Sequence, residues 1–529
     1  MRGAPTRDTY FSLRGAAPSH YHRPAVPSTP LILGIDFGTT NTSAAYFDEQ
    51  GKLRLVPVKE KNFILPSVVW FPSADKHLVG HAARTQIIED PKHTVFGSKR
   101  FLGRRFQSEY VNQHKDRFAF DLVEGPDGYC AVLIYGQLVP LTHVAQLVIA
   151  EIAGRAAHTA GKPFKDAVLT VPAHASVRQR EAVRKAAEAV GLTVRAIVNE
   201  PTAAALYYAN LRNPQQKVLI FDLGGGTFDV TLMDVEARVA RVMATGGDAF
   251  LGGGNFDEVV VEHFVEQFEQ RTGLSIRQNR TVMQRLVFAA ENAKISLTRL
   301  DTTQLRVPAI AVKPTGEFVD FNYTLTRSKL EELAFKLVER CVAACDDVLS
   351  RAKLSAGLVD ELVLVGGQTR MPAIRQRLAY FKRFASEKDV HPELGVAVGA
   401  AILGRNLARA SRTGLQDVVP MPISVMLPGG RTVEAIPANT PVPAVKRLPL
   451  DALPAWSSPV PLVLFESLDQ TSTDRELIGT VHIGPEWRTG KAVASSLELE
   501  VGQDFQLKAR VVAPGGMQTS LQIVEAARH

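Results

Sequence analysis

Cysteine is scarce: the 529-residue chain has three, Cys130, Cys341 and Cys345. That is too few for a disulfide framework. Cys341 and Cys345 are four apart on a predicted helix, yet two thiols do not fill a tetrahedral metal site. They read as buried, reduced thiols of a cytoplasmic protein. Long apolar runs are also missing. No stretch approaches the roughly 18 residues a membrane span needs, so no membrane partner is expected. Residues 1–30 lack the continuous apolar segment and cleavage signal of a secretory peptide. The G-x-x-x-x-G-K-[ST] pattern is absent too, which excludes a P-loop protein. Acidic residues fall short of basic ones, 54 against 61, leaving a formal charge of +7. Part of that excess lies in residues 1–30, where Arg2, Arg7, Arg14 and Arg23 face only Asp8. A basic tail can attract nucleic acid, but this one reads as a solvated, disordered segment, and no nucleic-acid partner is expected.

The length predicts about two or three domains, and the 45% hydrophobic and 22% charged residues are those of an ordinary globular chain. Order is expected from Pro30. Leu31 to Ile35 is a short apolar run reaching a Gly-Thr-Thr turn, with a second strand at Ser43 to Phe47. Phe63 to Phe71 is strand-like, residues 143–160 and 176–191 read as helices, and Val168 to Val171 is a strand between them. The unit repeats from Lys217: an apolar strand, Asp222, the turn Gly224-Gly225-Gly226-Thr227, then Phe228 to Met233. Duplication predicts two similar lobes, each a sheet with packed helices. A third strand, Glu361 to Gly367, ends in Gly-Gly before a helix from Pro372. Val396 to Leu403 reads as a further helix. From Ile423 short alternating segments separated by Pro and Gly predict an all-β domain. The boundaries are a tail over 1–30, a two-lobed domain over 31–408, a linker over 409–417 and a β-sandwich over 418–529.

The turns point to chemistry. Phosphate oxygens need close approach by backbone N–H groups, which glycine permits. Gly38-Thr39-Thr40 and Gly224-Gly225-Gly226-Thr227 each follow a strand, and Asp36 and Asp222 each stand two residues before the first glycine of their turn. Such carboxylates can hold Mg²⁺ through water. Either turn alone could be a simple hairpin; together they imply a triphosphate held between two lobes. Phosphoryl transfer rests on positioning and charge neutralisation, so a basic side chain should reach the terminal phosphate. The Lys99-Arg100 pair is a candidate, though by itself it also reads as a basic surface cluster.

These residues resemble the 70-kilodalton heat-shock chaperone family. The resemblance is carried by GIDFGTTN at Gly34–Asn41, IFDLGGGTFDV at Ile220–Val230 and VGGQTRMP at Val365–Pro372. Val171-Pro-Ala, NEPTAAAL at Asn199–Leu206 and the segment Phe96 to Phe106 also carry it. It spans about residues 31–405 and continues more weakly to about 525. It implies an α/β, two-lobed actin-like ATPase with duplicated ribonuclease-H-like lobes, followed by a β-sandwich that binds extended peptide. It implies ATP/ADP and Mg²⁺ as cofactors, with K⁺ as a further candidate. Asp36, Asp222 and Asp229 would serve the Mg²⁺ and water region, Asp36 and Asp222 as the metal's carboxylates. Thr39, Thr40, Gly225, Gly226 and Thr227 would contact phosphates, beside Gly38, Asn41 and Gly224 of the same motifs. Lys99 would approach the γ-phosphate, Glu200 would help hold the metal and couple the lobes, and Asp229 or Thr227 would orient the attacking water. Gly252, Gly253, Glu291, Lys294, Thr298, Gly366, Gly367, Gln368 and Arg370 would line the adenosine site. Pro172 and Arg180 match a proline switch and an arginine relay, and Asp417 an interdomain contact. Val425, Val460 and Leu462 fall in the family's peptide groove, positions that also read as plain sandwich core. J-domain and nucleotide-exchange partners, and a monomeric state, follow from the same likeness.

The sequence departs from the family at five places. Glu393 stands where Asp is usual, which bears on the K⁺ site. Gly254-Asn255 replaces an acidic pair. Ala196 replaces an arginine that receives J-domain partners. The linker Thr413-Gly414-Leu415-Gln416-Asp417 is polar where a leucine run is usual, which predicts weak or altered coupling. No helical lid follows the β domain before His529, which predicts fast peptide exchange. The competing expectation is an ATP-binding regulator with little turnover that uses its β domain as an interaction module. A filament-forming actin-like protein or a sugar kinase fits less of the sequence.

Overall fold

The computed structural model describes residues 30–524, apart from 212–214, 237–238, 387–390, 410–414, 451–457, 468–474, 485–486, 488–494 and 514–517. The basic tail, Thr413 and Gly414 therefore lie outside the described residues. Two lobes and a sandwich follow one another along the chain. The first lobe's sheet runs Thr193–Asn199, Asp166–Val171, Ile32–Phe37, Asn41–Phe47, Leu53–Leu55, with Leu65–Pro66 pairing separately on Asn41–Phe47. The second lobe's sheet runs Glu361–Val365, Gln216–Leu223, Phe228–Glu236, Val239–Asp248, Leu415–Gln416. In each, the motif strand pairs in parallel on one side and forms an antiparallel hairpin on the other. The repeat read from the two turns is thus a repeat of sheet topology.

Burial follows sequence pattern. Gln216–Leu223 is apolar from Val218 on, and its last six residues are enclosed, as expected for a central strand covered on both faces. Each lobe has its own core, one around Leu33, Ile35, Phe101 and Leu169, the other around Phe221, Phe228, Phe264 and Leu362. A third cluster joins them: the alanine-rich helix Glu200–Leu211 meets Gly395–Ala408 over Ile32, Val168, Val218 and Val363. Small residues let these helices approach closely. A Cβ on Gly399 would fall 1.8 Å from the Ala203 carbonyl oxygen, so only glycine fits there. Cys341 and Cys345 share the buried face of Arg327–Arg351, and burial raises both thiols' pKa, Cys341's to about 12. Among the described residues no helix is long and apolar enough to cross a membrane.

The C-terminal unit is two four-stranded antiparallel sheets. One contains Thr432–Ile436, Ile423–Met426, Val460–Ser467 and Arg475–Ile483; the other Ala444–Pro449, Ser496–Val501, Leu507–Val512 and Gln518–Leu521. Val425 and Leu462 are fully enclosed between the sheets and Val460 is 9% exposed, all three packed with Ile483, Leu499 and Val511. The structure therefore packs these three into the sandwich core.

The described end of the linker, Leu415–Asp417, is tied down. Despite its polar sequence, Leu415–Gln416 extends the second lobe's sheet in parallel, pairing Leu415 with Ala240 and Gln416 with Arg241. Backbone hydrogen bonds carry that pairing, so it does not need leucines. Asp417 follows as a buried carboxylate that accepts from Asn199 Nδ2 and Thr202 Oγ1, each at 3.0 Å. The polar linker thus ends in a docked strand and a buried carboxylate.

Candidate active site

Both glycine turns and the Lys99 segment converge between the lobes. Lys99 lies in a short 3-10 turn, Ser98–Arg100, and its side chain is enclosed. Its Nζ donates to the Phe37 carbonyl, and to Glu200 Oε1 at 2.8 Å. Asp36, next to last in the first motif strand, accepts from Thr170 Oγ1 at 2.8 Å. Asp222 and Asp229 stand opposite each other in the second lobe's hairpin, both buried. Burial raises the Asp36 pKa, with Lys99 and Thr170 pulling it back. Glu200 is pushed up to about 7, first by burial, against the attraction of Lys99. Asp222 rises well above the usual carboxylate range because it is buried and crowded by Glu200, Asp229 and Asp36.

The turns themselves form tight cradles. A Cβ on Gly225 would sit 2.0 Å from Thr40 Oγ1, and one on Gly252 would sit 2.5 Å from the Gly226 nitrogen. The backbone closes further through Gly253 N to Gly224 O at 2.8 Å and Gly254 N to Gly225 O at 3.0 Å. Gly38 is tied down by Ser67, whose hydroxyl donates to its carbonyl at 2.8 Å.

Beside this cluster lies a cleft of about 1430 Å³, ample for a nucleotide. Thr39, Thr40, Asn41, Gly224, Gly225 and Gly253 line the end nearest this cluster. Glu291, Lys294, Thr298, Gly367, Gln368 and Arg370 line the other. Lys294 donates to Gly253 O and pairs with Asp257, each at 2.8 Å, while Arg370 pairs with Glu393 at 3.0 Å. Gly366 is in a left-handed conformation, and its nitrogen donates to Pro392 O. Thr298 is at the rim, its hydroxyl turned back to Ile295 O. Thr227 lies instead on a smaller cavity of about 40 Å³, with Thr39, Lys99, Pro172 and His174.

The donor set fits Mg²⁺. Among the described residues no three His, Cys, Asp or Glu side chains form a chelating cage, but Mg²⁺ keeps several waters and needs only one or two carboxylates. The crowded, buried Asp36 and Asp222, and an Asp229 Oδ2 with no hydrogen-bond partner, are groups a cation and its waters would satisfy. The glycine cradles and Lys99 are likewise suited to phosphate oxygens.

Comparison with known proteins decides the ancestry of this site. The family model described as Hsp70 protein matches residues 32–486. The chain belongs to the Hsp70 family. A relative, the mitochondrial heat shock 70 kDa protein of Dictyostelium discoideum, is 35% identical over 449 residues, covering 84% of this chain and 68% of the relative. The Hsp70 assignment agrees with the two-lobed α/β architecture followed by a β-sandwich.

Arg100, the second member of the Lys99-Arg100 pair, reaches Gly225 O at 2.5 Å. Sequence reasoning missed other contributors. Arg84 bridges to Glu291 at 2.9 Å, and Asp257 partners Lys294; no short motif marks either. His174 binds Asp229 at 2.8 Å, from a position two residues after the recognised Pro172. Pro172 lines the small cavity, and Arg180 is buried, donating to Asn199 Oδ1 at 2.7 Å. Ala196 lies on Thr193–Asn199, paired with Val168.

The β-sandwich docks against this machinery. Val177 N donates to Glu466 Oε2 at 2.8 Å, Arg178 donates to Ile478 O, and Arg104 pairs with Glu476. The Arg180 guanidinium lies 4.2 Å from the Phe505 ring centroid. Thr245 N donates to Asn439 Oδ1 at 3.2 Å.

Proposed function

We propose that the chain is an ATP-hydrolysing molecular chaperone whose nucleotide state modulates how its β domain binds extended hydrophobic peptide. The observation that carries this is the enclosed Lys99–Glu200 pair beside Asp36, Asp222 and Asp229, set against two glycine cradles in the interlobe cleft. The cluster's carboxylates would hold Mg²⁺, which when bound would offset phosphate charge. Asp36 and Asp222 would hold it through water. Lys99, fixed by Phe37 O and Glu200, would place its charge at the terminal phosphate without reorganising. Thr39, Thr40 and Thr227 would orient phosphate oxygens, and Asp229 would accept a hydrogen bond from the attacking water. Lys294, Gly366 and Arg370 would shape the adenosine end.

The docked sandwich supports a link between the two activities. Arg180, Asp417 and Glu466 lie buried where the lobes meet it. With Val425, Val460 and Leu462 enclosed, peptide entry would require the two sheets to part. Ala196 weakens the case for a J-domain partner. Together with Gly254-Asn255, it favours a second reading, an ATP-bound regulator with little turnover. The test is release of a fluorescent hydrophobic peptide, followed by anisotropy, on adding Mg-ATP. The proposal expects faster release with ATP than with ADP; equal rates would reject coupled chaperoning and leave the regulator.

A further inference from the structure

The attacking-water side of the cleft holds a histidine that no motif accounts for. His174 stands in the loop between Asp166–Val171 and Val177–Glu188, its side chain 9% exposed. Its Nδ1 lies 2.8 Å from Asp229 Oδ1, and Asp229 is 1% exposed. Because a carboxylate only accepts, Nδ1 carries the proton in this contact. The other oxygen, Asp229 Oδ2, is buried and without a partner. One oxygen is therefore pinned while the other awaits a donor, an arrangement costly to leave unmet.

The ring is itself held firmly. Arg180 donates to the carbonyls on both sides of it, Ala175 O at 3.1 Å and Ala173 O at 3.3 Å. Beside the ring is the cavity of about 40 Å³ that it lines with Lys99, Thr39 and Thr227. A pocket of that size and polarity suits a water molecule. The walls carry the Lys99, Arg100 and Arg104 cations, two threonine hydroxyls and the imidazole, and that imidazole joins Asp229 to them.

We propose that His174 is a positioning residue for ATP hydrolysis: it fixes the Asp229 carboxylate so that Oδ2 is free to orient the nucleophilic water beside Lys99 and Thr227. The role rests on the ATP-hydrolysis reading above. It needs only an N–H at Nδ1 donating to the carboxylate. Losing the contact would let the carboxylate rotate. Misplacement on the scale of 1 Å can cost about 10²-fold in rate.

The test uses full-length protein and compares His174→Asn with His174→Leu, similar in size but differing in the N–H. ATP affinity, single-turnover hydrolysis and melting temperature are measured for both and for the wild type. The Leu variant is expected to lose roughly 10- to 100-fold in hydrolysis with ATP affinity within about twofold, and the Asn variant to recover most of that loss. Melting temperatures should match between the two variants. Equal hydrolysis by Leu and wild type overturns the proposal. So does equal impairment of Asn and Leu, or a loss of affinity parallel to the loss of rate. A wild type that binds ATP without turning it over refutes the hydrolysis reading itself, a distinguishable result.

Discussion

Glu466 makes interdomain docking sensitive to pH. Its carboxylate is buried where the sandwich meets the first lobe and accepts from Val177 N at 2.8 Å. Burial pushes its pKa up to about 7 from 4.5, aided by Glu476 and opposed by the Val177 bond and by Arg180. On undocking it returns to water and to the ordinary value. The docked state therefore binds a proton more tightly. Its contribution to docking is fully present below about pH 4.5 and is lost as pH rises through about 7. The full span is about 3 kcal/mol at 1.36 kcal/mol per unit. Between pH 8 and pH 6 docking should strengthen about tenfold. Asp417, raised in the same direction by burial, adds to the slope on the acid side. The assay is energy transfer between fluorophores on the ATPase and the sandwich, at fixed nucleotide, from pH 6 to pH 8. Glu466→Gln keeps an acceptor for Val177 and removes the titration, so it should dock well and lose the slope. A flat wild-type curve, or docking that strengthens toward alkaline pH, would refute the reasoning.

Three further outcomes follow from the same geometry. Asp417→Ala leaves Asn199 Nδ2 and Thr202 Oγ1 without their shared acceptor, a loss of roughly 1–3 kcal/mol; faster tryptic cleavage at Arg409 should report the released linker. Gly225→Ala drives a Cβ to 2.0 Å from Thr40 Oγ1, and calorimetry should find ATP binding weakened by more than about tenfold, roughly 1.4 kcal/mol. Gly399→Ala presses on the Ala203 backbone at 1.8 Å, and should lower stability by about 1–3 kcal/mol or more in denaturant titration without touching the cleft.

Much of the lobes was legible because a buried strand, an aspartate and a glycine turn are local signals, and they recur. Asp36 and Asp222 each fall at the expected strand end, and Lys99 reaches Glu200 across the first lobe. The linker's docking was not legible because its polar sequence carries no apolar signal: Leu415–Gln416 pairs through its backbone and Asp417 through a buried acceptor. His174 and Arg84 were invisible for another reason. Their partners, Asp229 and Glu291, lie 55 and 207 residues away, and no spacing rule brings such residues together. Val425 and Leu462 show the opposite limit: an alternating apolar strand reads the same whether it faces a core or a ligand, and here they face the core.

The central claim is that the Lys99 cluster hydrolyses ATP. Single-turnover hydrolysis of bound ATP, with Mg²⁺ and with a chelator, measured on the wild type and on Lys99→Ala, tests it most directly. The account predicts Mg²⁺-dependent turnover in the wild type and a fall of roughly 10²-fold or more in the variant, the scale of losing one preorganised charge at the reacting group. Turnover unchanged by Lys99→Ala, or none in the wild type, would contradict it.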